Sequence, residues 1–335
     1  MKPAKRMRRG CPDVGRPSLA ALPEAGIGVR PVAPMRNARG ALLGLAVGDA
    51  LGAPLESCPR AVAEAAVADG LELSGGQGWE PGEWTDDTAM ALRLAESIAA
   101  HGLPLDLDDL AGRYAAWAAS GPKDIGSITH AALRGARSAD DARANARAAH
   151  EWHGMTAGNG TVMRVTPLAF APASREQVLA AARIEARLTH WDPAAGESSA
   201  ALCAALLALA RGEDPTAAAL AECVAEERVS SCVELVAMGA LEGVGRLAGG
   251  PEGGTCWATL ACGLAALRFD DYEAGVSWAI SQGHDTDTNA AVAGALLGAR
   301  EGSAAIPARW LGGLRERERI EAAVEGVLAG RTALD

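Results

Sequence analysis

Apolar residues recur every three to four positions along most of the chain, and short segments rich in Gly, Pro and Asp separate the periodic stretches. This period is typical of amphipathic helices, and alternating β-branched runs of strand length are scarce. We therefore expect an all-α fold, without a break typical of an interdomain linker. The predicted helices span residues 37–51, 85–100, 106–119, 126–149, 174–188, 197–211, 215–245, 255–267, 271–281, 288–300 and 316–329.

Residues 1–34 differ from the rest of the chain because they are rich in Pro, Gly and Arg and show no apolar periodicity. Such a segment buries too little apolar surface to offset the entropy lost on ordering. We expect a disordered N-terminal extension over 1–34 and one folded domain over 35–335. If translation starts at Met35 the extension is an artefact, which mass spectrometry of the native amino terminus would decide.

Charge is unevenly distributed along the chain. The net charge is −11, but the residues after position 34 hold 24 Lys and Arg against 40 Asp and Glu. Nucleic-acid binding through a basic patch is not expected, because that binding requires Lys and Arg to neutralise phosphates. An acidic body is better suited to a site that collects cations.

The cysteines and the apolar runs indicate the cellular setting. Seven cysteines are scattered without a C-x-x-C pair, which fits neither a disulfide framework nor a zinc site. No apolar run of eighteen residues is free of charge and glycine, and no signal segment follows the amino terminus. We expect a cytoplasmic monomer that does not associate with membranes.

Two short acidic segments precede predicted helices about two hundred residues apart. Each one alone is typical of a helix N-cap, where Thr and Asp satisfy free N–H groups and complement the helix dipole. Together they also predict a site for two Mg²⁺ or Mn²⁺ ions, because converging carboxylates require cations and oxygen ligands suit hard ones. The oxygen-bearing residues are Thr85, Asp86 and Asp87 in the first segment and Asp285, Asp287 and Thr288 in the second.

A glycine stripe and a loop carboxylate follow each other near the amino terminus. Gly44, Gly48 and Gly52 are spaced four apart, which places a flat stripe on one helix face and predicts close helix packing. Glu56 follows on a loop, where a carboxylate is usually a solvated surface group. Beside a metal cluster, the same residue can serve as a general acid or base.

A glycine turn and a histidine are further candidates for ligand contacts. The Gly158-Asn159-Gly160 segment has the backbone freedom to approach a diphosphate or ribose through its N–H groups. Asn-Gly is equally an ordinary tight turn. His190 ends one predicted helix before the next begins, so it is either favoured there by the helix dipole or a ligand contact.

Six motifs in order carry a resemblance that runs from about Arg39 to Arg300. They are GDALGAPLE, WTDDTAMAL, DIGSIT, GNGTVMR, THWDP and GHDTDTNAAVAGALLGA. In this order they resemble the ADP-ribosylglycohydrolase family. The resemblance implies an all-α, largely orthogonal multi-helix fold in one compact domain, with a dinuclear metal site.

The resemblance also implies roles for individual residues. The metal ligands would be Thr85, Asp86, Asp87, Asp285, Asp287 and Thr288, the residues already singled out by charge. Glu56 and Asp124 would be the catalytic carboxylates near the distal ribose. The ADP-ribose contacts would be Gly126, Gly158, Asn159, Gly160 and His190. Where the family pattern has Gly, this chain has His284, and Trp257 or Trp152 is a candidate for stacking on the ligand.

The implied function is hydrolysis of the bond between ADP-ribose and a modified acceptor, with two divalent ions and an ADP-ribosylated substrate as partner. Isoprenoid synthases also use Asp-rich magnesium sites, but their D-D-x-x-D motif requires an acid where Met90 stands. A non-catalytic protein that binds ADP-ribose or metal remains the alternative. Whether the acceptor is arginine, serine, a nucleobase or a free metabolite stays open.

Overall fold

The expected all-α architecture is confirmed over residues 34–330, which a computed structural model of the protein describes. This range contains two isolated β-bridges but no strand. Its α-helices are α1 (Pro34–Gly52), α2 (Arg60–Asp69), α3 (Asp86–His101), α4 (Leu107–Ala119), α5 (Ser127–Leu133), α6 (Ala139–His153), α7 (Arg175–Ala186), α8 (Pro193–Arg211), α9 (Pro215–Cys223), α10 (Glu227–Ala237), α11 (Leu241–Ala248), α12 (Cys256–Ala266), α13 (Tyr272–Ser281), α14 (Thr286–Glu301), α15 (Ala308–Gly313) and α16 (Arg317–Ala329).

Short 3₁₀ helices supplement them at Ala53–Leu55, Asn159–Thr161, Thr166–Phe170 and Ser303–Ala305. The predicted extension over 1–34 lies outside the described residues except for Pro34. The prediction of disorder there, and of a start at Met35, therefore stays a prediction.

Two of the predicted helices are wrong because each of them is interrupted. The predicted helix 126–149 is divided into α5 and α6, since Gly135 has a φ of +71° and Ser138 caps the next helix through the N–H of Asp141. The predicted helix 215–245 is divided into α9, α10 and α11, and Gly239, with a φ of +75°, separates the last two. Helices α2 and α15 were not predicted, because both are short and their apolar faces are narrow.

The glycine stripe produces the most extensive helix contact of the fold, between α1 and α14. A Cβ atom added at Gly44 would overlap the carbonyl oxygen of Gly294, and one at Gly48 would overlap that of Ala290. The contact continues to the end of α1, where a Cβ at Gly52 would overlap the backbone of Asp287. Close packing is thus confirmed, and it brings the start of α14 against the end of α1.

One continuous cluster of buried apolar side chains runs from Ala38 to Val327 and joins most of the helices. Helix α8 lies within it. Its 19 residues are long and apolar enough to cross a membrane by composition, with a mean hydropathy of 1.4, yet 78% of that stretch is buried within the protein. Such burial is typical of a core helix. The α1–α2 segment would meet the same criterion only as a pair, which is bent by 118°.

Candidate active site

The first acidic segment begins α3 and is held by a carboxylate of α1. The Thr85 hydroxyl accepts a hydrogen bond from the Asp87 N–H, so the predicted N-cap is present. The fully buried Asp49 accepts hydrogen bonds from the N–H of Thr85 at 2.9 Å, the N–H of Thr88 at 3.0 Å and the hydroxyl of Thr88 at 2.6 Å. Since Thr85 and Asp49 satisfy the helix start, the carboxylates of Asp86 and Asp87 are left for another role.

The second acidic segment begins α14, and its carboxylates do not cap the helix. Asp285 occupies the N-cap position without a side-chain cap hydrogen bond, and its Oδ2 accepts from the Asn159 amide at 2.8 Å. The Thr288 hydroxyl donates to Asp87 Oδ1 at 3.3 Å, which links the two segments directly. The two segments therefore meet, although about two hundred residues separate them in sequence.

Eleven of the thirteen predicted site residues line one cavity of about 230 Å³. The eleven are Glu56, Asp86, Asp124, Gly126, Gly158, Asn159, Gly160, His190, Asp285, Asp287 and Thr288. Thr85 and Asp87 are buried behind this surface, where Asp87 is completely inaccessible. A cavity with carboxylates at one end and a glycine turn with an imidazole at the other can hold cations and an anionic ligand together.

The carboxylate end fits a hard divalent cation. Oδ2 of Asp87 and Oδ1 of Asp287 are buried without a hydrogen-bond partner. Each of Glu56, Asp124 and Asp287 offers an oxygen within 4.8 Å of the other two. An unpaired buried carboxylate oxygen is costly unless it is protonated or coordinates a metal, and an all-oxygen donor set is the one that Mg²⁺ and Mn²⁺ prefer.

The pKa values of these carboxyl groups show the same demand for positive charge. Burial, followed by repulsion from neighbouring carboxylates, raises the pKa of Asp86 to about 8 and that of Glu56 to about 7. The same two causes raise the pKa of Asp87 and Asp287 well above the usual range. Burial also raises the pKa of Asp49 to about 6, although its hydrogen bonds oppose the shift. Without a cation, these carboxyl groups therefore tend to hold protons.

Glu56 lies where two loops are joined by backbone hydrogen bonds. The N–H of Ser57 donates to the His284 carbonyl at 2.6 Å, and the N–H of His284 donates to the Cys58 carbonyl at 2.8 Å. His284 is exposed and has a φ of +58°, a left-handed conformation that favours glycine. A glycine would adopt this conformation without strain, whereas this chain places an imidazole there.

A second cavity, of about 540 Å³, adjoins the first at Glu56, Gly254 and Asp285. His284 and the glycine-rich loop 249–254 line it. Neither Trp152, which is 85% exposed, nor the buried Trp257 lines either cavity, so the expectation that one of them stacks on a ligand there gains no support. A substrate larger than one ribose can extend to both sides of Glu56.

The glycine turn and His190 form the other end of the first cavity. His190 is buried, and a Cβ atom at Gly158 would lie 3.2 Å from its Nε2, while one at Gly160 would lie 2.9 Å from its Cε1. These two glycines therefore let the backbone approach the imidazole. Burial and the charge of Arg164 lower the pKa of His190 to about 3, so the ring is neutral.

Asn159 is bound to the protein more fully than the sequence suggested. Its N–H donates to the Gly254 carbonyl at 3.1 Å, and its amide nitrogen donates to both Thr259 and Asp285. The Asn159 N–H is therefore already satisfied within the protein, whereas the expectation that the Gly158-Asn159-Gly160 turn contacts a diphosphate or ribose stays a prediction. Its amide instead orients Asp285.

Sequence reasoning missed two polar residues that organise the site. Asp49 is a single acid in the apolar run ALLGLAVGDALG, which is itself a signal of a buried polar role. Arg164 gives no comparable signal, because a charged residue is usually exposed, whereas this one is completely buried. Its partners Glu185 and Thr189 lie 21 and 25 residues away, which no local pattern reveals.

Comparison with known proteins agrees with this geometry. The sequence profile described as ADP-ribosylglycohydrolase matches residues 30–334. The chain is 32% identical over 316 residues to the ADP-ribosyl-[dinitrogen reductase] glycohydrolase of Rhodospirillum rubrum, a match that covers 88% of this chain and 96% of the relative. It is 30% identical to an ADP-ribosylarginine hydrolase of Serratia proteamaculans, covering 85% of this chain and 76% of the relative.

A solved structure supports the same assignment. A chain of an ADP-ribosylglycohydrolase-related protein complex superimposes with a TM-score of 0.67 at 34% identity, covering 88% of this chain and 98% of that chain. Sequence profile, relatives and fold agree over nearly the whole length. The chain belongs to the ADP-ribosylglycohydrolase family, whose members are hydrolases acting on glycosyl bonds.

Proposed function

We propose that this protein hydrolyses the glycosidic bond between ADP-ribose and a modified protein side chain, and that two Mg²⁺ or Mn²⁺ ions assist it. The observation that carries the proposal is the cavity whose lining combines carboxylates, among them Asp287 with its unpaired buried oxygen, with a glycine turn and the imidazole of His190. The relatives support the substrate class, since one is named for ADP-ribosylated dinitrogen reductase and another for ADP-ribosylarginine.

The residues that would hold the ions are those of the two acidic segments. They are Thr85, Asp86, Asp87, Asp285, Asp287 and Thr288, with Glu56 and Asp124 near enough to Asp287 to share an ion. When bound, the ions supply Lewis acidity that polarises oxygen ligands. They also neutralise carboxylates whose ionisation burial otherwise opposes.

The protein's own groups define the rest of the reaction. Water adds to the anomeric carbon of the distal ribose, the bond to the acceptor breaks, and the acceptor leaves with a proton. Glu56 is the group that we assign to exchange that proton, because this loop carboxylate lines both cavities. Carboxylates around the ring stabilise the positive charge that develops on it.

The test is release of ADP-ribose from arginine- and serine-linked peptides, measured with Mg²⁺, with Mn²⁺ and after chelation. Asp287→Asn should lower turnover about a hundredfold or more, since loss of several kcal/mol of charge stabilisation has that effect. Asp214→Asn is the matched control, because this exposed N-cap of α9 lies outside both cavities and Asn also caps helices.

Near-normal turnover of Asp287→Asn, or release that chelation leaves unchanged, would contradict the two-metal proposal. Calorimetric titration with ADP-ribose distinguishes the hydrolase from the alternative, a non-catalytic protein that binds ADP-ribose. Metal-dependent binding of ADP-ribose without release from any linkage would identify a non-catalytic binding protein.

A further inference from the structure

A buried ion pair lies directly behind the glycine turn and belongs to no step of the proposed reaction. Arg164 and Glu185 are both completely buried, and Nε of Arg164 donates to Glu185 Oε1 at 2.7 Å. Tyr114 donates to the same oxygen at 2.9 Å. A buried ion pair is seldom a net source of stability, so we infer a role for this one from the other groups that it contacts.

The remaining donors of Arg164 reach both motifs that line the cavity. Its Nη1 donates to the Gly160 carbonyl at 2.6 Å, and its Nη2 donates to the Thr189 hydroxyl at 2.8 Å. The Thr189 hydroxyl in turn lies 2.8 Å from Nδ1 of His190. Arg164 thus connects the glycine turn to the imidazole through one threonine.

The directions of the Arg164–Thr189 and Thr189–His190 hydrogen bonds follow from the donors that these residues carry. Arginine can only donate, so the Thr189 oxygen accepts from Arg164. Among the described residues, Nδ1 of His190 is the one acceptor within hydrogen-bonding distance of the Thr189 hydroxyl. A buried hydroxyl without an acceptor is costly, so the hydroxyl donates to Nδ1, and the single proton of the neutral ring resides on Nε2.

The Nε2 atom faces the cavity. It lies on the side of the ring nearest Gly158, and within residues 34–330 no protein group is hydrogen-bonded to it. An uncharged ring fixed in this tautomer offers one directed donor and no acceptor. That polarity suits an oxygen of a phosphate group and disfavours a ligand that must itself donate.

We propose that Thr189, held by Arg164, is a positioning residue that fixes His190 as the Nε2–H tautomer so that the ring donates to a phosphate oxygen of the ligand. The donation to ADP-ribose rests on the proposed function, whereas the tautomer does not. Binding selectivity at this position then arises from the placement of one proton on an uncharged ring.

The test uses the full chain and a pair of threonine variants. Long-range ¹H–¹⁵N NMR of the imidazole is expected to show His190 as Nε2–H in the wild type and in Thr189→Ser, which keeps the hydroxyl. In Thr189→Val, Nδ1 loses its donor, so the Nδ1–H form should appear, and the Kd for ADP-ribose should rise about tenfold at saturating Mg²⁺. Thr166→Val is the control, since that buried hydroxyl has no partner and lies outside the cavity.

The outcomes separate the two proposals. A wild-type Nδ1–H tautomer, or Thr189→Val with the wild-type tautomer and Kd, would overturn the positioning role. The expected tautomers with no ADP-ribose binding by the wild type would support the positioning role and count against the proposed function. Arg164 itself is not varied, because removing one partner of a buried ion pair can prevent folding.

Discussion

The raised carboxyl pKa values predict that chelation makes stability fall as pH rises from 6.5 to 8. The folded pKa of Asp86 is about 8, against 3.8 for the free group, and those of Asp87 and Asp287 are also raised well above it. In this window the metal-free folded state therefore holds protons that the unfolded chain has already lost. Stability present at low pH is thus lost as pH rises toward the folded pKa.

The magnitude follows from the number of protons held. Each retained proton lowers the free energy of unfolding by about 1.4 kcal/mol per pH unit, or roughly 2 kcal/mol across this window. Asp86 accounts for this loss of roughly 2 kcal/mol, and the raised pKa values of Asp87 and Asp287 act in the same direction. The loss is an appreciable part of the roughly 5–15 kcal/mol typical of a folded domain.

Below pH 6.5, His190 has the opposite effect on the free energy of unfolding. Its pKa is lowered to about 3 in the fold, so it adds stability as pH rises from about 3 to 6.5, and its contribution is constant above that. Urea unfolding at several pH values, with chelator and with saturating Mg²⁺, measures the difference. The Mg²⁺-loaded protein should lose little, because a bound cation keeps the carboxylates ionised.

Asp287→Asn should reduce the pH slope of the chelated protein, because the amide does not titrate. Asp214→Asn should leave that slope unchanged, since the group lies outside the cluster. Chelated stability that is flat or increases from pH 6.5 to 8, and equals that of the Mg²⁺-loaded protein, would refute this account of the carboxylates.

Three further predictions concern packing and the cavity. Gly44→Ala should lower the free energy of unfolding by about 2 kcal/mol or more in urea denaturation, because the added Cβ overlaps a facing carbonyl. Gly112→Ala, in open space on α4, should raise it by about 0.5 kcal/mol. Equal effects of the two variants would contradict the close packing of α1 against α14. Asp49→Asn should weaken Mg²⁺ binding by about tenfold in calorimetry, because an NH₂ donor replaces one of the two acceptor oxygens that hold the start of α3, and unchanged affinity would exclude this role. Gly160→Ala should raise KM more than it lowers kcat, because its Cβ presses on His190, and a change in kcat alone would argue against a binding role.

The apolar pattern was sufficient to predict most of the helices, including α12, which is buried on every side. It failed where a local backbone device outweighed it, as at Gly135 and Gly239, whose positive φ ends a helix inside an unbroken apolar pattern. The glycine stripe of α1 predicted a close neighbour, but nothing in the local sequence could identify that neighbour as α14. Partner choice is a property of the whole chain.

Charge and the order of the motifs were sufficient to predict which residues meet in the candidate site. Four carboxylates at two helix starts indicated convergence, and the structure places Asp87 within reach of Thr288. Which side of each residue faces the cavity was beyond the sequence, since it depends on hydrogen bonds between distant segments. Asn159 illustrates this, because its donors are satisfied by Gly254 and Asp285.

The backbone contact between α1 and α14 fixes the position of the carboxylates but leaves the loops around the cavities free to vary. Gly52 packs against the backbone of Asp287, so the end of α1 and the start of α14 meet beside the carboxylates, and the chain between them forms one long loop that starts and finishes at this contact. Insertions or substitutions in that loop, such as in the glycine-rich segment 249–254, change the walls of the larger cavity without shifting the helix pair. If the proposed function holds, acceptor preference can therefore change while the carboxylates keep their spacing.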